Sequence, residues 1–187
     1  MTARAQAAAQ TGERILDAAI EVFWQHPTDR ISLDEVAARA DVSVQTVIRR
    51  FGGRDGVLAA AAERESARVA AQRELAPVGD LPGAVAVLVD HYEQLGERVL
   101  RMLAEENRIP AIRTIIEGGR ELHRRWCAQV FGAALVNRVG VERRRRLAQI
   151  VAVCDVYTWK LLRADAGLSR RQTELAMVEL LAPLMAA

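Results

Sequence analysis

The chain has 187 residues, 51% of them hydrophobic, with 26 basic and 24 acidic side chains for a net charge of +2. That length holds one medium domain, or a small domain joined to a larger one. The near-neutral balance does not by itself argue for nucleic-acid binding, so any such role must rest on where a few charges stand. Aromatics are only 4% of residues, and Ala, Leu and Val must do the packing, which favours helices over sheets. No charge-free apolar run reaches the ~18 residues of a transmembrane span. The opening MTARAQAAAQ lacks the apolar core of a signal peptide. Cys127 and Cys154 fall inside apolar helical patterns, the usual place for buried free thiols, and a reduced, cytoplasmic protein is expected.

In chain order, residues 1–10 read as a flexible arm whose Arg4 could lie along a minor groove. Ile15, Ala18, Ala19, Val22 and Phe23 then recur at helical spacing and predict a first helix from about Thr11 to Gln25. The stretch Ser32–Phe51 organises the rest. Ser32 and Glu35 have capping-box spacing, with Ile31 and Val36 as a hydrophobic staple. Ser43 caps a further helix, stapled by Val42 and Val47. Only Ala40-Asp41-Val42 separates the two. Two capped helices on so short a turn, the second ending in Arg49-Arg50, form a helix-turn-helix pattern. The first 54 residues are formally neutral. Arg4, Arg14, Arg30, Arg39, Arg49, Arg50 and Arg54 oppose Glu13, Asp17, Glu21, Asp29, Asp34, Glu35 and Asp41.

Gly52-Gly53 ends the third helix, and an Ala-rich fourth runs from Arg54 to about Glu74. Residues 76–83 are a Pro- and Gly-rich linker. A fifth helix follows, then a short sixth from Pro110 to Gly118-Gly119, a seventh over 120–137, an eighth over 141–164 and a ninth capped by Ser169 with Gln172. No alternating strand pattern appears. The fold expected is all-α, about nine helices, with a helix-turn-helix domain over 1–53 and a helical effector-binding and dimerisation domain over 54–187. The last two helices are apolar nearly all round. Such helices must bury both faces, so a homodimer through them is expected, and a C2 dimer suits a palindromic site.

The N-terminal region resembles the TetR family of bacterial transcriptional regulators. The resemblance lies in Arg14-Ile15-Leu16-Asp17-Ala18-Ala19 with Phe23, in Ile31–Ala37, in Val42-Ser43, and in Phe51, Arg54-Asp55 and Leu58. It covers about 48 residues and is specific as an ensemble. The chain departs from the family at the inter-helix turn, where Asp41 replaces the usual Gly. Ile48 stands where a phosphate-binding Tyr is usual, and Arg54 where a Lys is usual.

DNA-binding residues expected from this pattern are Ser32, Ser43, Val44, Gln45, Thr46, Arg49, Arg50 and Arg54. Gln reads adenine, Arg reads guanine, and the Val44 and Thr46 methyls meet thymine methyls. Arg50, Arg54, Ser43 and Ser32 suit phosphates. Candidate effector contacts are His91, Tyr92, Leu95, Met102, Trp126, Cys127, Val130 and Tyr157, an apolar set with a few polar handles. His123 and Cys127 stand one helical turn apart, but no further ligand completes a metal set, so no metal and no cofactor are expected. Arg143–Arg146 reads as a solvated helix end, and Asp155 as a lone acid that pairs with an arginine across the bundle or dimer or else faces a cationic ligand. No nucleophile–base pair or phosphate loop appears, so the chain is not expected to be an enzyme. The function expected is a repressor that holds duplex operator DNA and is released by a small-molecule effector. The alternative is a regulator controlled by a protein, or an activator.

Overall fold

In the computed structural model the structure describes residues 3–26, 30–107 and 110–186, the side chains of residues 3, 4, 110 and 111 aside. Among these residues every regular element is helical and no strand forms. The order is α1 (Ala3–Gln25), α2 (Leu33–Arg39), α3 (Val44–Phe51), α4 (Arg54–Arg73), α5 (Leu81–Ala104), α6 (Pro110–Val130), α7 (Gly140–Val153), α8 (Val156–Lys160) and α9 (Arg170–Met185). A short 3-10 turn covers Gly132–Leu135 and a π turn covers Leu161–Asp165. The chain divides into two compact units. One comprises Met1–Arg68 with Glu105–Ile115, the other Val69–Ala104 with Ile116–Ala187. The division falls inside α4, not before it at residue 53. Three short helices cannot bury enough surface alone, and the first half of α4 completes their core.

That first core is Ile15, Ala18, Ala19 and Val22 of α1, Val36 and Ala37 of α2, Val47 of α3, and Val57, Leu58 and Ala61 of α4. The α1 positions step by three, one and three, which is one face of a helix. Ile15, Val22, Val36 and Val47 are completely buried, each contributing about 1.5–3 kcal/mol relative to exposure. Residues 3–10 continue α1 instead of forming a flexible arm. Their Ala-rich sequence extends a helix already nucleated by packing, at little propensity cost. Arg4 lies outside the described side chains.

The second unit packs Leu88, Val89 and Tyr92 of α5 against Trp126, Cys127 and Val130 of α6, Ile150 of α7, Cys154, Trp159 of α8, and Met177 and Leu181 of α9. Gly96 allows a close approach of α5 and α8: a Cβ there would collide with the Trp159 ring. Two predicted boundaries move. Gly118-Gly119 does not end a helix, and the expected sixth and seventh helices are one, α6. Both glycines are exposed and nothing crowds them, so each costs only ~1 kcal/mol of propensity, too little to break a packed helix. The expected eighth helix, by contrast, breaks at Cys154-Asp155. Asp155 caps α8 by accepting from the Tyr157 backbone N–H at 2.9 Å. The acid read as an arginine partner is a helix cap. At α9 the expected capping box is present in both halves, Ser169 with Gln172. Arg143, Arg144 and Arg145 are solvent-exposed, and Arg146 donates to the Leu184 carbonyl at 2.6 Å.

Candidate DNA interface and interior polar cluster

Helices α2 and α3 are started and stopped by identifiable groups. Ser32 Oγ accepts from the Glu35 N–H at 3.1 Å, and Ser43 Oγ from the Thr46 N–H at 3.2 Å. The capping box expected at Ser32 is only half made. The Glu35 carboxylate turns instead to Arg39 at 2.8 Å and to His26 at 3.0 Å. A Schellman turn ends α2, with Asp41 N–H donating to Ala38 and Val42 N–H to Ala37. Asp41 is its left-handed residue, at φ 53°. Gly52, left-handed at φ 79°, ends α3. Arg14 of α1 donates to the Ala40 carbonyl at 3.3 Å, which fixes the turn from below.

On this frame α3 exposes Gln45, Ile48 and Arg49, which stand three and four residues apart and so share one face. Val44, expected to face outward, is half-buried against the core, one position round the helix from that face. Thr46 is half-buried, its hydroxyl 2.9 Å from Ser43 Oγ. Arg50 is exposed and folds back. Its guanidinium stacks over Phe51 and lies against Gly12 of α1, where a Cβ would collide with it. Arg54 donates from Nε to the Ile31 carbonyl at 3.0 Å, which ties the start of α4 to the segment before α2. Several acids of this unit have partners. Arg64 bridges Glu13 and Asp17, and Arg39 bridges Glu21 and Glu35. Arg49 and Arg50 pair with no carboxylate among the described residues. Two cations without an acidic partner therefore stand on or beside the exposed face of α3.

Of the proposed effector contacts, Tyr92, Trp126, Cys127 and Val130 are gathered in the second core. His91 is buried beside Tyr92, with Nδ1 3.3 Å from Gln72 Oε1. Leu95 is buried. Met102 is only half-buried and lies outside that cluster. Tyr157 is 52% exposed and faces away from it, because the Asp155 cap restarts the helix just before it. A surface groove of about 430 Å³ lies elsewhere, between Glu93, Glu97, Arg98, Arg101, Trp159 and Arg163, and its walls are mainly charged.

The interior cluster contains a group missed in the sequence. Arg73, at the end of α4, is 6% exposed. Its guanidinium donates to His123 Nδ1 at 2.8 Å and packs over the rings of Trp126 and Tyr92. Arginine can only donate, so His123 Nδ1 is the acceptor and Nε2 carries the proton. That Nε2 stands 3.7 Å from Cys127 Sγ. The Trp126 indole donates to the Arg73 carbonyl at 3.0 Å, and the Tyr92 hydroxyl to the Cys154 carbonyl at 2.8 Å. In sequence Arg73 looks like an ordinary basic residue in a last helical turn, favourable to the dipole and solvated. Nothing local marks it as buried.

Residues 15–61 match the family model for bacterial regulatory proteins of the tetR family. That stretch, which holds the helix-turn-helix, is a tetR-family regulatory domain. A transcriptional regulator from Rhodococcus sp. RHA1 shares its fold at a TM-score of 0.69 and 20% identity, over 93% of this chain and 95% of that one. The SmeT–triclosan complex gives 0.66 at 18% identity, over 92% and 90%. A transcriptional regulator from Saccharomonospora viridis in complex with choline gives 0.67 at 17% identity, over 93% and 96%. No curated protein matches the sequence.

Two expectations follow from the geometry. Asp41 pays a left-handed strain that glycine avoids, so Asp41→Gly raises stability by up to about 1 kcal/mol net of its freer unfolded chain. Urea unfolding reads this directly, and a lower midpoint contradicts it. The Cys127 thiol is lowered to about 6, first by the Cys154 thiol that hydrogen-bonds it and then, against the opposing effect of burial, by His123 and Arg73. Cys154 is correspondingly pushed up. Being depressed on folding, the Cys127 contribution to stability is complete above the unfolded thiol value and is lost as pH falls through about 6. Thiolate ultraviolet absorbance should titrate with a midpoint near 6, and Cys127→Ser should abolish that step. A midpoint at the ordinary thiol value contradicts it.

Proposed function

We propose that this chain is a ligand-responsive repressor that binds a palindromic operator as a homodimer. The observation that carries the DNA half is the exposed face of α3, with Gln45, Ile48 and Arg49 outward and Arg50 beside them. Gln45 and Arg49 have the donors and acceptors that read adenine and guanine in the major groove, and Ile48 can meet a thymine methyl. Ser32, Ser43, Arg50 and Arg54 are assigned to the phosphates, as the pattern of capped helix starts suggests. Val44 and Thr46 keep a supporting place at the start of α3.

The effector half is supported by the interior of the second unit, where Tyr92, Trp126, Cys127 and Val130 meet with His91 close by. An apolar interior with a few polar groups is how small-ligand sites are built. Related folds were solved with triclosan and with choline. An effector there would act by preferring a conformation that does not hold the operator, with α4 as the continuous helix joining the two halves. The homodimer is assigned to α8 with the π turn after it and to α9, which leave Tyr157, Leu161, Leu175 and Leu180 exposed. Selection of bound sequences from a random duplex pool, followed by anisotropy on the selected site, tests this reading. A palindromic consensus bound by two chains is expected. A non-symmetric consensus bound by one chain would overturn it.

A further inference from the structure

We propose that Arg73 is the anchor for an anionic effector, a carboxylate on an apolar body. Its oxygens would meet the guanidinium, and its body would rest against Trp126 and Tyr92. The inference rests on the reading of the second unit as effector-binding and adds the chemical class of what binds.

A guanidinium taken out of water is costly unless an anion and a full set of hydrogen bonds replace its hydration. Arg73 has neither. It is 6% exposed, and no carboxylate pairs with it among the described residues. Its Nε is buried with no hydrogen-bond partner. What it does have is a neutral imidazole at 2.8 Å and two ring faces at 5.4 and 5.9 Å. The Cys127 thiol, whose thiolate Arg73 helps to favour, hydrogen-bonds the far side of that imidazole and not the guanidinium. Arg73 is also the only Arg or Lys buried among the described residues. One cation matches a monoanion. A phosphate monoester would bring a second buried negative charge with no second cation to meet it. The planar fork of arginine suits the two oxygens of a carboxylate. The surrounding wall of Tyr92, Trp126 and Phe131 is apolar, so the rest of the ligand must be too.

The test is thermal shift and Trp fluorescence titration of the full chain with octanoate, decanoate and phenylacetate, each set against its neutral amide. Wild type should be stabilised by at least one carboxylate and bind its amide about ten- to hundredfold more weakly, the range of a lost charge-assisted bond. Arg73→Gln should lose the carboxylate response by a similar factor while melting within about 4 °C of wild type, since it removes a buried charge that has no carboxylate partner. Arg73→Lys, which keeps the charge without the fork, should fall between. Ligand-bound Arg73 no longer favours the Cys127 thiolate, so the thiol titration should move to higher pH with ligand present. Equal binding of carboxylate and amide overturns the proposal. So does a full carboxylate response in Arg73→Gln, the absence of any carboxylate response in wild type, or an Arg73→Gln chain that no longer folds. Release of operator DNA separates the two readings. Neutral compounds that release it from both wild type and Arg73→Gln leave effector control standing and this inference refuted. Carboxylates that bind through Arg73 without releasing DNA do the reverse.

Discussion

A chain carrying Leu161→Glu and Leu180→Glu should elute as a monomer and bind its operator about 10²–10⁴-fold more weakly, with an unchanged helical spectrum. Leu161 is 59% exposed and Leu180 48% exposed, so neither substitution removes much packing from a single chain. In a C2 dimer through α8 and α9 each leucine is buried twice, at about 1.5–3 kcal/mol apiece. Four carboxylates would replace them at a face that excludes water. The affinity factor comes from multivalency. Once one recognition helix is seated, the second binds at the effective concentration set by its tether, and a monomer loses that gain. Size-exclusion chromatography with light scattering reads the first effect and anisotropy the second. A double variant that stays dimeric would place the interface elsewhere, for instance on the face bearing Val136, Val139 and Val141, which are also exposed.

The second large effect separates two neighbouring arginines. Arg49→Ala should cost about 1–3 kcal/mol on the preferred operator and much less on scrambled DNA, so the specificity ratio collapses. Arg50→Ala should weaken both by a similar factor and flatten the salt dependence by about one unit of slope. The structure gives the reason for the split. Arg49 shares the outward face with Gln45 and Ile48, whereas Arg50 is turned back over Phe51 and Gly12, at the edge of that face. Anisotropy at several salt concentrations distinguishes the two. Identical losses on every sequence for both variants would contradict the assignment.

Much of this was legible in the sequence because it is local. Capping serines and the apolar steps of α1 are decided within a few residues, and each forms where its pattern predicts. The failures lie where tertiary packing outweighs a local signal. Gly118-Gly119 reads as a stop, yet α6 runs through it. Cys154-Asp155 reads as helix interior, yet the aspartate caps a new helix and turns Tyr157 out to solvent. Val44 reads as outward because only the period of α3 was known, not the packing of its first turn on the core. Arg73 was invisible for the opposite reason. Its neighbours His123, Trp126 and Tyr92 lie on other helices, and no spacing in the sequence brings them together. The nearby pair His123 and Cys127 could be seen at one-turn spacing, and it turns out to carry a hydrogen bond, with no metal-ligand group among the described residues.

The most direct test of the central claim is a hydroxyl-radical footprint on the selected operator, with wild type and Arg49→Ala side by side. Two symmetric protected patches are expected, centred one helical turn (~34–36 Å) or a whole multiple of it apart. Both patches should fade together in the variant. A single patch, or two patches indifferent to Arg49, would contradict it.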